Sequence, residues 1–237
     1  MRRVCRVVAD TLGGLRKLVV PGAKTRELDQ YAEDALRSRG VEPAFKGYRG
    51  FPATICASRN EVVVHGIPSD EVLRTGDVIS IDLGGIMDGY YGDSAVTIPV
   101  GEVSAEAKRL LDVASLSLER GIEQARPGNR LYDISWAIQS CAEEGGFSVV
   151  RDYVGHGIGR NLHEDPQVPN FGKAGSGPRL RAGMVIAIEP MVNEGTWEVD
   201  LRDDGWTVVT ADRKLSAHFE HTVAIGDSGP DVLTLWH

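Results

Sequence analysis

Apolar positions recur at helical spacing in four stretches, with strand-like runs between them. Val4, Val7, Val8, Leu12 and Leu15 fall on one face of a helix over 4–18, and Pro21-Gly22 stops it. Thr25 is expected to cap a second helix with Leu28, Tyr31, Ala32, Ala35 and Leu36 inward, ended by Gly40. Residues 43–68 read as loop with short strands at 54–57 and 61–64, leading into His65-Gly66. A third helix is predicted over 104–125, with Leu110, Leu111, Ala114 and Leu118 inward and Pro127-Gly128 beyond it. A fourth carries Ile134, Ile138 and Cys141 before Gly145-Gly146.

Between the second and third helices, Val78 to Ile98 forms two β-branched runs joined at Asp88-Gly89, a strong signal for a two-residue hairpin turn. With that turn, Met87 faces Tyr90, Gly84 faces Asp93 and Asp82 faces Ala95. Side chains on one face recur every second residue, so Asp82, Gly84, Asp93 and Ala95 share a face. Asp82 and Asp93 become diagonal neighbours, roughly 7–8 Å apart at the backbone. Two carboxylates aimed into one space repel unless they are protonated or share a cation. The alternative is a pair of solvated aspartates on an exposed face. Against it, aspartate is disfavoured in strands, and the flanking Ile81 and Leu83 have the character of buried residues.

The order of elements then repeats. Leu28, Ala35 and Gly40 match Ile134, Cys141 and Gly146 at the offset that separates Pro21-Gly22 from Pro127-Gly128. One residue further in offset, Gly76-Asp77-Val78-Ile79-Ser80-Ile81-Asp82 resembles Gly183-Met184-Val185-Ile186-Ala187-Ile188-Glu189. An internal duplication follows, roughly 1–110 and 111–237. Each half ends an apolar strand on one carboxylate, Asp82 or Glu189. The expected architecture is α+β: a single domain over 1–237 of two pseudo-twofold related halves, each with helices packed on antiparallel strands, and both carboxylates aimed at the axis. A buried Glu189 without a partner would be costly.

Composition narrows the classes. The 237 residues are 42% hydrophobic and 25% charged, an ordinary globular balance. The net charge of -8 gives no nucleic-acid footprint. Cys5, Cys56 and Cys141 are scattered, with no C-x-x-C, and read as reduced thiols of a cytoplasmic protein. Charged residues interrupt the start of the chain, against a secretory leader, and no apolar run reaches the ~20 residues of a membrane span.

Further candidate chemistry lies in the second half. His156 sits among glycines in Gly155-His156-Gly157-Ile158-Gly159, which by itself is also compatible with a plain turn. His163 follows seven residues on. The segment 216–223 alternates as a strand, with Ala217, Phe219, His221 and Val223 on one face and His218, Glu220 and Thr222 on the other. Either face could be the inner one. His218 and His221 read as surface residues or as residues behind a site. Asp82, Asp93, His156, Glu189 and Glu220 together make an oxygen-rich set, better suited to two divalent ions such as Mn²⁺, Fe²⁺ or Co²⁺ than to a structural zinc.

These pieces resemble the type 1 methionine aminopeptidases of the pita-bread fold. The matching motifs are Asn60-Glu61-Val62-Val63-Val64-His65-Gly66-Ile67-Pro68, Ile81-Asp82, Gly92-Asp93, Gly155-His156-Gly157-Ile158-Gly159 with His163-Glu164, Ile188-Glu189-Pro190 and Glu220-His221-Thr222. They run in family order over nearly the whole chain. The short interval from His163 to Glu189 leaves no room for the helical insertion of the type 2 branch. The N-terminal domain of related prolidases, proline aminopeptidases and creatinases is not expected.

The resemblance implies a role for each matching residue. Asp82 would chelate one ion, Asp93 and Glu220 would bridge two, and His156 and Glu189 would hold the other. Glu189 would also serve as general base toward the attacking water, and His65 and His163 would face the substrate. Phe45, Tyr48, Phe51, Cys56 and Trp206 would form the methionine slot, although by spacing alone ordinary core packing is the preferred reading of these five. Phe45 stands where many relatives have a smaller residue, and Leu162 replaces a frequent aromatic. A monovalent cation would fall on Asn60, Val62 and Ser216. The implied activity is removal of the N-terminal methionine of nascent polypeptides, near the ribosome, by a monomeric enzyme without nucleic-acid or membrane binding. Two other readings are a catalytically dead binding module, expected to have lost ligands, and an enzyme of the same fold cleaving before proline or acting on a small amide.

Overall fold

The computed structural model describes residues 1–235. Four helices carry the predicted apolar faces, with Tyr31 as an exception that lies exposed: α1 (Arg2–Leu18), α2 (Thr25–Arg37), α3 (Ala105–Gln124) and α4 (Leu131–Glu144). Ser104 caps α3 by accepting from Ala107 N at 3.1 Å. Thr25 does not cap α2. Its hydroxyl accepts from Ser69 N and donates to Ser69 O, and so ties the helix start to the loop before the hairpin. Lys24 takes the cap position, with Glu27 accepting from its backbone N.

The hairpin has the expected register. Val78–Met87 pairs Tyr90–Pro99, with Met87 opposite Tyr90, Gly84 opposite Asp93 and Asp82 opposite Ala95. Asp88 and Gly89 both have positive φ, 53° and 73°, the geometry of the tight turn that Asp-Gly favours. The strand Val78–Met87 also pairs Ile55–Arg59, placing Cys56 opposite Asp82.

The second half repeats this arrangement in shorter strands. Val185–Ile188 lies between Gly155–Gly157 and His221–Gly226. The glycines around His156 therefore belong to a buried strand and not to a turn. A Cβ on Gly155 would collide with Ala187 O, and one on Gly157 with Asp165 O, so only glycine allows the neighbouring backbones this close. The alternating segment 216–223 divides into Ser216–His218 and His221–Gly226. Its register opposite 185–193 nonetheless continues: His221 faces Ile188 and His218 faces Met191. The interruption coincides with Pro190, which has no N–H to donate to a ladder. Continuing the register sets Glu189 opposite Glu220.

One hydrophobic cluster fills the first half, under α1 and α2, and another the second, under α3 and α4; Phe219 packs against both. The halves join along a short antiparallel seam. At its centre Ala95 and Glu220 exchange backbone bonds, Ala95 N to Glu220 O at 3.4 Å and Glu220 N to Ala95 O at 2.9 Å. Two residues away on each side, a threonine clasps the opposite backbone. Thr97 Oγ1 accepts from His218 N and donates to His218 O, both at 2.8 Å. Thr222 Oγ1 accepts from Asp93 N at 3.1 Å and donates to Asp93 O at 2.7 Å. The two clasps are reciprocal across the seam.

Thr222→Val keeps the shape and removes the clasp. It leaves the buried backbone N–H and C=O of Asp93 without that partner, at about 1–3 kcal/mol per unsatisfied group. Urea unfolding should show a loss of about 2–6 kcal/mol for the two groups together, against little change for Thr75→Val at the exposed surface. Equal stability of the two variants would show that the clasp does not hold the halves together.

Candidate metal centre

The seam delivers Asp93 and Glu220 to one place. Asp93 follows from the hairpin register and is 4% exposed; Glu220 sits at the seam's centre and is 2% exposed. Asp82 lies in the middle of the first hairpin strand, half-buried between Ile81 and Leu83, and Glu189 follows the corresponding strand of the second half. His156 projects from the strand beside Glu189, with its Nε2 3.5 Å from Glu189 Oε1. Ligand atoms of Asp93, His156 and Glu220 lie within 4.8 Å of one another. All five residues line one cavity of about 280 Å³.

Electrostatics makes this cluster expensive without a cation. Burial, and then the neighbouring Asp93, push the carboxyls of Asp82, Glu189 and Glu220 well above the usual range. Burial raises Asp93 to about 7, held down by hydrogen bonds from Asp82 and Ser94 N. Asp82 Oδ1, Asp93 Oδ1 and Glu220 Oε1 are buried with no hydrogen-bond partner. Orphaned buried oxygens facing one another are what a site for hard divalent cations requires, so the donor set fits such ions. The imidazole is prepared for the same task. His156 Nδ1 meets Gly157 O at 2.9 Å, and a carbonyl can only accept. The proton therefore sits on Nδ1, and the Nε2 lone pair faces the carboxylates. Burial lowers His156 to about 4, which keeps that lone pair free.

Two more histidines stand over the cluster. His163 is 4.3 Å from His156 between ring centroids, and its Nδ1 contacts Tyr48 Oη at 3.0 Å. With the phenol donating, His163 carries its own proton on Nε2. His65 has φ +60° and meets Tyr153 and Trp206 edge to face. Burial, and then His163, lower His65 to about 4, so it too is neutral.

Phe45, Tyr48, Phe51, Cys56 and Trp206 line the same cavity, joined by Leu162. Phe45 fits because Gly84 leaves room for its ring. Phe51 and Trp206 meet edge to face at 5.2 Å. Asp29 of α2 anchors the loop that carries most of these residues, its Oδ1 accepting from Thr54 N and Ile55 N at 2.8 and 2.9 Å. Asn60 and Ser216 come together through a bond from Ser216 N to Asn60 O at 2.9 Å, and Val62 begins the adjoining strand Val62–Val64.

Tyr153 and Arg49, which the sequence does not single out, also line the cavity, and His218 is one of the residues behind the site, its Nε2 3.6 Å from Glu189 Oε2. Nothing in the local sequence marks the first two. His218 was marked by its alternation with Glu220. His221, on the other face, bonds through Nδ1 to Thr234.

Residues 1–227 match the model of metallopeptidase family M24. The chain belongs to that family. It is 55% identical over 234 residues to "Methionine aminopeptidase 1" of Bacillus subtilis (strain 168), covering 99% of this chain and 94% of that protein. The crystal structure of methionine aminopeptidase from Thermotoga maritima superimposes with a TM-score of 0.98 at 47% identity, over 100% of this chain and 95% of that one. The prolidase from Pyrococcus furiosus shares the fold, with a TM-score of 0.79 at 23% identity, over 100% of this chain and 63% of that one. The pita-bread architecture and the type 1 methionine aminopeptidase resemblance both hold. No helix among the described residues is long and apolar enough to cross a membrane.

A pH dependence of stability follows. Carboxyls whose pKa is raised by folding contribute stability below the ordinary carboxylate range, and it is lost as pH rises through their folded values, reached for Asp93 at about 7. The buried histidines act oppositely, because their pKa values fall on folding. Their contribution is present above the ordinary imidazole value and is lost as pH falls toward about 4 for His65 and His156. Metal-free protein should therefore melt at lower temperature at about pH 8.5 than at about pH 6.5, and Mn²⁺ or Co²⁺ should erase the difference. A melting temperature independent of pH in the chelated protein would contradict this electrostatic account.

Proposed function

We propose that this protein removes the N-terminal methionine of polypeptides by hydrolysis of the first peptide bond. The observation that carries the reading is a single cavity that joins five candidate metal ligands to an apolar wall of Phe45, Phe51, Cys56, Leu162 and Trp206. Asp82, Asp93, His156, Glu189 and Glu220 hold two divalent ions, of cobalt, manganese or iron. Such a pair lowers the pKa of water toward neutrality and polarises a carbonyl oxygen.

The chain's own groups do the rest. Glu189 takes a proton from the attacking water and returns it to the departing amine nitrogen as the C–N bond breaks. His163, with its proton on Nε2, donates to the carbonyl oxygen as negative charge develops there. His65, held neutral beside Trp206, borders the same peptide unit. Phe45, Tyr48, Phe51, Cys56 and Trp206 receive the methionine side chain and exclude water.

The same reading treats 1–237 as one catalytic domain with an internal duplication, supported by the reciprocal clasps of Thr97 and Thr222. Asn60, Val62 and Ser216 offer oxygens to a monovalent cation, supported by the Ser216–Asn60 contact. The substrates are nascent chains near the ribosome, met by a cytoplasmic monomer that binds neither nucleic acid nor membrane.

A peptide panel varying only the first residue tests the specificity. Methionine and norleucine should be released. Val should be cut poorly because it clashes near the backbone, and Lys or Glu because it loses solvation unpaired. An N-acetylated member should resist, since the free amine must reach the carboxylates. Comparable rates across the panel would replace methionine release by a broader aminopeptidase activity.

His163→Ala separates chemistry from metal binding. The loss of one donor to the developing oxyanion lowers kcat by about 10²–10³-fold. Metal content measured by atomic absorption should stay unchanged. Loss of metal instead would make His163 a ligand.

A further inference from the structure

Glu189 lies between two imidazoles. Its Oε1 is 3.5 Å from His156 Nε2, and its Oε2 is 3.6 Å from His218 Nε2. His156 belongs to the proposed ligand set; His218 does not. His218 is 2% exposed, and its Nε2 is buried with no hydrogen-bond partner. Its backbone is fixed on both sides, by the Thr97 clasp and by pairing opposite Met191. The ring is thus held in place with a polar atom aimed at a carboxylate.

We propose that His218 is a positioning residue that donates its Nε2 proton to Glu189 Oε2 and so turns Oε1 toward His156 and the cavity. With cations present Glu189 is a carboxylate, whose oxygens can only accept, so the bonding proton is then the imidazole's. With one oxygen engaged, Glu189 presents the other in one orientation, as ligand and as base. Hydrogen-bond partners behind a ligating carboxylate commonly fix its orientation in this way. The seam then serves the centre twice: it places Glu220 directly, and through Thr97 it places the group that orients Glu189.

The inference rests on the metallopeptidase reading of Glu189. It is tested with His218→Gln, whose amide nitrogen reaches about where Nε2 lies, with His218→Asn, whose amide stops short, and with His218→Leu, which fills the space without a donor. Each is titrated with Co²⁺, followed by visible absorption, and assayed for kcat and KM on Met-Ala-Ser. His218→Leu and His218→Asn should lose about 10–100-fold in Co²⁺ affinity or kcat, with KM little changed, while His218→Gln regains most of the loss. Melting temperatures of the three metal-free variants should lie together. A His218→Gln protein as impaired as the other two, or a His218→Leu protein equal to wild type, would overturn the proposal. The Co²⁺ titration is independent of turnover. If the pattern of affinities holds while wild type leaves Met-Ala-Ser uncut, the positioning role stands and the peptidase reading falls.

Discussion

The antiparallel seam between residues 93–97 and 218–222 is the constraint on which the rest of the structure depends. Each half has its own helices and its own hydrophobic cluster, and each could satisfy most of its backbone internally. Joining them requires a polar strand edge from each half to be buried. Backbone bonds between Ala95 and Glu220 satisfy the centre of that edge, and the hydroxyls of Thr97 and Thr222 satisfy the flanks. Threonine suits this use because one hydroxyl both donates and accepts. The geometry that makes the join also buries Asp93 and Glu220 face to face. Repulsion between them is therefore not an accident of loop placement. It is built into the contact that holds the halves together, and only protons or cations relieve it.

That conflict explains the division of labour among the polar groups. The carboxylates gain from deprotonation only when positive charge is present. Burial lowers the imidazole pKa values, and Gly157 O, which can only accept, fixes the proton of His156 on Nδ1. A site of this kind is stable as a protein fold in two ways, protonated or metal-loaded, and is strained between them.

Much of this was legible in the sequence because it follows from short-range rules. Asp88-Gly89 set a two-residue turn, the turn set the register, and the register put Asp82 and Asp93 on one face. The matching Gly76–Asp82 and Gly183–Glu189 segments announced a second central strand, and alternation put His218 and Glu220 on the same face. What the sequence concealed depends on contacts between distant segments. Thr25 has the side chain of a cap, but Ser69 offers its hydroxyl two better partners. His156 sits in a glycine-rich stretch that reads as a turn, because nothing nearby reveals that Ala187 and Asp165 press on its neighbours. For His218 the sequence leaves open a surface place or one behind the site, and only Glu189, brought alongside from the end of a distant strand, decides between them. Tyr153 reaches the cavity only through the path of the chain after α4.

The likeness in fold to a prolidase separates what the architecture provides from what specificity requires. Asp82 and Asp93 stand on the hairpin strands, and Glu189 and Glu220 in the short breaks between paired strands at the seam, so altering their spacing would break the join between halves. The slot is attached differently. Phe45, Tyr48 and Phe51 come from the loop between α2 and the strand Ile55–Arg59, and Trp206 from a second loop across the cavity. The first loop is fixed to the body at its end by Asp29, whose single oxygen accepts two consecutive backbone N–H groups. Phe45 and Gly84 fit one against the other, so at this point the width of the slot is set jointly by the loop and by the hairpin strand opposite Asp93. The candidate metal centre and the proposed slot are thus carried by different parts of the chain: the first by segments at the seam, the second by a loop that pairs with the hairpin strand at Glu42–Pro43 and is anchored at its other end by Asp29.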